Sequence, residues 1–162
     1  MRYTIIAMLA ALALAGCSDQ TPVAQTPPAS TTSTVVTHHT AGELATALGM
    51  GTVTVWTAAT DENQLLGRPG GYTSAATVTD KRLPCPDKAD PGTDCGATVE
   101  VFPTDDEAVR RSEYIQSILG GGGILGTEYH YFAATALLRV TGQLTPDQAK
   151  VYAEKFQTAA SR

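Results

Sequence analysis

One apolar run, Ile5 to Leu14, decides how much of this chain is available to fold. It carries no charge and follows Met1-Arg2, which supplies a positive start. Ala15-Gly16 then gives the small-residue context of a secretory cleavage site. At about 10 residues the run falls well short of the roughly 20 that a membrane-spanning helix needs. It reads as a signal peptide over residues 1–16, removed on export and excluded from the fold.

The run closes on Leu14-Ala15-Gly16-Cys17, which resembles the lipobox of bacterial lipoproteins. The resemblance implies diacylglycerol on the Cys17 thiol, cleavage before Cys17 and, often, acylation of the new amino terminus. Each buried acyl methylene contributes about 0.8 kcal/mol, and stable anchoring takes two chains or more. The expected location is the outer face of the bacterial cytoplasmic membrane, in the cell envelope, anchored without spanning.

Loss of residues 1–16 leaves 10 Lys+Arg against 16 Asp+Glu, a net charge of −6. Nucleic-acid binding needs a basic footprint, so it is excluded. Adhesion to anionic lipid by charge is excluded as well. The lipid must do the anchoring, and the further partner is an envelope protein or a small ligand. Beyond Cys17 the cysteines are Cys85 and Cys95. In an oxidising compartment they should pair as a disulfide, stabilising the fold by about 3 kcal/mol in the chain-entropy picture. Their spacing is wide and no His lies near them, so they do not read as a metal site. No cofactor is expected.

Residues 17–40 follow as the lipidated Cys and a tether rich in Thr, Ser and Pro, with Asp19 as its one charge. Such a stretch cannot bury enough apolar surface to fold. As a coil it spans about 25–30 Å. His38-His39 at its end makes no metal site by itself. Residues 41–162 suit a single globular domain.

Within that domain Gly42 to Leu48 reads as a short helix. Thr52 to Trp56, Tyr72 to Thr79 and Ala97 to Phe102 read as strands by their alternation. Thr104-Asp105-Asp106-Glu107 and Thr145-Pro146-Asp147-Gln148 are capping boxes. The first starts a helix with Ala108, Ser112, Ile115 and Leu119 on one face, and Gly120–Gly123 ends it. The second starts a helix striped by Ala149, Tyr152, Ala153 and Phe156. Thr127 to Phe132 and Thr135 to Thr141 read as a hairpin turning at Ala133-Ala134. The fold class is α+β: a small two-layer sandwich, with a mixed or antiparallel sheet of four to five strands and two amphipathic helices on one face.

Compact catalytic signatures such as GxSxG and HExxH are absent. Glu128, His130 and Phe132 share a strand face, and His130 is the one His in the domain placed to act as a base. The Gly120–Gly123 run follows a helix, the wrong pole for a phosphate cradle. Asp87, Asp90 and Asp94 crowd the disulfide loop without the spacing of a calcium loop. The most suggestive segment is Leu65-Leu66-Gly67-Arg68-Pro69-Gly70-Gly71-Tyr72. A long loop with an apolar pair, an arginine and three glycines is where binding tends to reside. Leu65, Leu66, Arg68 and Tyr72 are its candidate contacts. The plainer reading is that Leu65-Leu66 plugs the core and the glycines make turns.

Several phrases are together similar to a group of small, uncharacterised secreted lipoproteins of actinobacteria. They are Thr60-Asp61 through Gln64-Leu65-Leu66-Gly67-Arg68-Pro69-Gly70 and Tyr72-Thr73-Ser74, Cys95-Gly96 with Val99-Glu100-Val101-Phe102, Arg111-Ser112 with Tyr114-Ile115-Gln116, Glu128-Tyr129-His130-Tyr131, and Leu137-Leu138-Arg139-Val140. The resemblance implies localisation and one small domain, and no site residues. The expectation is a membrane-anchored extracytoplasmic lipoprotein acting as a non-catalytic binding or interaction module. The alternative is a small envelope enzyme with His130 as general base.

Overall fold

The computed structural model describes residues 39–120 and 125–162. The signal run, Cys17, the tether through His38 and Gly121–Gly123 lie outside the described residues. The elements are α1 (Ala41–Leu48), β1 (Thr52–Val55), β2 (Ser74–Thr79), β3 (Gly96–Val101), α2 (Asp105–Leu119), β4 (Glu128–Ala133), β5 (Ala136–Thr141) and α3 (Pro146–Ala160). The strands form one five-stranded sheet in the order β1-β2-β3-β5-β4, antiparallel throughout. The fold is α+β.

All three helices start on a threonine. Thr40 and Thr145 each accept the amide three residues on, and Glu43 and Gln148 reach back to the threonine amides. Thr104 accepts the Glu107 amide and its hydroxyl donates to Glu107 Oε2 at 3.0 Å, without the reciprocal backbone bond. A threonine cap contributes about 1 kcal/mol. The hairpin turns at Ala134-Thr135 rather than at Ala133-Ala134, because Ala133 pairs with Ala136 and Ala134 takes the left-handed conformation (φ 48°).

The register divides the sheet into two unlike faces. Ala76, Val78, Ala97, Val99, Val101, Ala136, Leu138 and Val140 share the apolar face, under Leu44 and Leu48 of α1 and Tyr152 and Phe156 of α3. Burying each such large side chain contributes about 1.5–3 kcal/mol. On the other face one row runs Thr54, Thr77, Thr98, Arg139, His130, each directly opposite the next. Helix α2 lies over this second face, with Ala108 packed into a cluster of Tyr72, Ala75, Phe102 and Leu137. The two long helices therefore occupy opposite faces, which corrects the expectation of both on one. The physical reason is that α2 docks largely through polar contacts. It buries only Ala108, Ser112 and Ile115, and it meets partners for such contacts only on the polar face.

Candidate functional site

The polar face carries a buried ion network. Glu100 is fully buried on β3. It accepts from Arg139 Nη1 at 2.9 Å, and from Arg111 of α2 through Nε at 3.3 Å and Nη2 at 3.4 Å. Arg139 also grips Glu128 side-on, with Nε and Nη2 each 2.8 Å from a carboxylate oxygen. Such bidentate pairs fix orientation as well as adding energy. Burial pushes the Glu128 carboxyl up, but hydrogen bonds from His130 and Arg139 prevail and hold it down at about 2. Burial pulls the Arg139 guanidinium the other way, but the hydrogen bonds and charges of Glu128 and Glu100 outweigh it and raise its pKa.

His130 lies in this network. Its Nε2 is 2.9 Å from Glu128 Oε2 and its Nδ1 is 2.6 Å from Ser112 Oγ. A Ser, a His and a carboxylate thus stand in line, a contact that sequence reasoning left unpaired. The setting is poor for a nucleophile. Ser112 sits within the run of α2, so its own amide is committed to the helix, and it is only 7% exposed. The His130 side chain is 6% exposed, with both ring nitrogens engaged.

A long loop, residues 57–73, shares the polar face with α2. Its organiser is Asp61, a residue that sequence reasoning passed over. The buried Asp61 carboxylate accepts the amides of Asn63 at 3.1 Å and of Leu65 and Leu66 at 2.7 Å each, and the Tyr72 hydroxyl donates to it. Burial opposes the charge, but the Tyr72 hydroxyl and these amides outweigh it and lower the Asp61 pKa. Gly71 closes the loop where a Cβ would stand 2.0 Å from the Leu65 carbonyl oxygen.

This geometry sorts the four loop residues singled out from sequence. Tyr72 is fully buried and meets Trp56 and Phe102 edge-on, each with ring centroids 6.0 Å apart. It is a core residue and not a contact for a partner, because its hydroxyl is held by Asp61 and its ring by two aromatics. Leu65 and Leu66 are half-buried against the same cluster. Arg68 is exposed and makes no ion pair among the described residues. Leu66 and Arg68 line one cleft of about 340 Å³ with Thr60, Glu62 and Asp90. Leu65 lines another of about 360 Å³ with Asn63, Arg110, Arg111 and Tyr114.

A third cleft lies between two irregular segments. Trp56, Thr60, Glu62 and Asn63 form one wall, Asp90 to Thr93 the other, and Arg139 also lines it; its volume is about 160 Å³. The second wall belongs to the loop closed by the Cys85–Cys95 disulfide, with S–S 2.05 Å. Thr93 Oγ1 ties it to Thr98 Oγ1 on β3 at 2.9 Å. Trp56 is fixed by its indole N–H, which donates to Thr77 Oγ1 at 3.0 Å. In the disulfide loop, Asp87 Oδ1 accepts the amides of Ala89 and Asp90. Among the described residues no group of three His, Cys, Asp or Glu side chains is placed to hold a metal ion.

No protein-family model, no curated protein and no solved structure matches this chain.

Proposed function

We propose that the protein is a lipid-anchored extracytoplasmic lipoprotein of the cell envelope whose domain works as a binding module, with the Arg139 cleft as its binding site. The carrying observation is the convergence of two loops, one closed by a disulfide and the other organised by Asp61, on a nine-tenths buried arginine. Sites of this kind place a few oriented polar groups in a preformed hollow. The Leu14-Ala15-Gly16-Cys17 stretch supports the anchor, and a tether raises local concentration near a membrane partner.

The alternative, an enzyme using His130 as base, draws on the 2.6 Å contact to Ser112. It ranks second because an attacking hydroxyl must reach substrate, and helix α2 covers this one. Two experiments test the preferred reading. Cys17→Ser should move the protein from the membrane fraction to the soluble fraction, or leave an uncleaved precursor. In a strain with a measurable deletion phenotype, Glu62→Trp should fill the cleft and fail to complement while remaining folded. Glu62 is exposed and makes no side-chain hydrogen bond among the described residues. Complementation by Glu62→Trp together with failure of Ser112→Ala would reverse the preference.

A further inference from the structure

We infer that the Arg139 cleft takes a small zwitterion of the α-amino-acid kind, its carboxylate on Arg139 and its ammonium at the Glu62 and Asp90 rim. The inference rests on the reading of this cleft as the binding site. Its first ground is the donor inventory of Arg139. A guanidinium carries five N–H groups. Nε, Nη1 and Nη2 each give one to Glu128 or Glu100. One N–H on each terminal nitrogen is left without a partner among the described residues, on a side chain that lines the cleft. One N–H on each terminal nitrogen of a guanidinium is the number of donors that the two oxygens of a carboxylate can accept.

The second ground is charge. Glu100 and Glu128 already balance Arg139 and Arg111 beneath the cleft. Glu62 and Asp90 at the rim make no ion pair among the described residues. A simple anion on Arg139 would lie close to two carboxylates that no ion pair neutralises, with Arg68 lining only the adjoining cleft. A simple cation at the rim would leave the guanidinium donors empty. A molecule bearing both charges meets both needs. The third ground is size: a hollow of about 160 Å³ compares with the roughly 150 Å³ that accepts benzene, so a six-atom body such as alanine fits.

Trp56 is the single tryptophan in the chain and lines the cleft, so its fluorescence reports occupancy. Purified full-length chain is titrated with L-alanine, with propionate, which lacks the ammonium, and with alaninamide, which lacks the carboxylate. L-alanine should change the Trp56 emission saturably. Removing either charge should weaken binding by about tenfold or more. In the Glu62→Gln/Asp90→Asn double variant, both changes lying at the cleft rim, the preference for alanine over propionate should fall to about twofold or less. Propionate or alaninamide binding the wild type as tightly as alanine would overturn the zwitterion while leaving the cleft as a binding site. Silence toward all three probes overturns the inference, and the Glu62→Trp complementation then decides the cleft reading separately.

Discussion

Glu128→Gln isolates the contribution of the buried ion network. The substitution keeps the shape of the side chain and removes the charge that Arg139 and His130 both address. The wild-type carboxyl has an ordinary value of 4.5 and is held at about 2 in the fold. Folding is therefore coupled to its ionisation by about 3 kcal/mol at neutral pH, taking about 1.4 kcal/mol per pKa unit. The folded pKa is depressed, so this stability is fully present above pH 4.5 and is lost as pH falls through 2. About 1.4 kcal/mol of it should remain at pH 3. Removing one partner of a buried pair costs about 3–5 kcal/mol in comparable settings, which agrees in size.

Urea unfolding of wild type and variant, followed by far-ultraviolet circular dichroism at pH 7, 4 and 2.5, measures this. The variant should be weaker by about 3 kcal/mol at pH 7, and the gap should close as the wild-type carboxyl takes up its proton. A gap that stays constant from pH 7 to pH 2.5 would refute the linkage, because loss would then come from packing. A gap under about 1 kcal/mol at pH 7 would show that Glu100 alone can hold Arg139.

Two further predictions concern the walls of the cleft. Asp61→Asn removes the charge that holds three amides and the Tyr72 hydroxyl, and should destabilise the fold by about 1.5–3 kcal/mol while raising amide hydrogen exchange in residues 62–66; unchanged exchange there would show that Asp61 does not order the loop. Joint Cys85→Ser/Cys95→Ser replacement should lower stability by about 3 kcal/mol and weaken cleft binding more than the stability loss explains, read by Trp56 titration under conditions where the variant is fully folded; equal affinity would separate the disulfide from the site.

Local signals made most elements legible in advance. Threonine caps marked the starts of α2 and α3, alternation marked the strands, and the expectation of export, with two remaining cysteines, pointed to the Cys85–Cys95 bond found in the fold. The side of the sheet that each helix covers is a long-range property, and it escaped. Thr98 and Glu100 alternate with Val99 and Val101, and Arg139 sits between Leu138 and Val140. Periodicity alone makes such polar positions a solvent face. Here helix α2 and the disulfide loop cover parts of this row: Arg111 answers Glu100, Ser112 answers His130 and Thr93 answers Thr98.

The loop of residues 57–73 is legible in sequence only in part, for the same long-range reason. Its glycines and its arginine are visible as residues, but the reason it holds a shape is one buried carboxylate, and Asp61 looks like any loop aspartate until Tyr72 folds back onto it. A chain that buries Glu100 and Arg139, with Glu128 and Arg111 half-buried against them, gains little over an apolar layer in stability alone. What the ionic layer supplies is orientation: Arg139 is gripped on one side by Glu128 and on another by Glu100, on a side chain that also lines a cleft. Under the proposed binding reading, an apolar lining could close the same volume, but it could not aim a charge at a ligand.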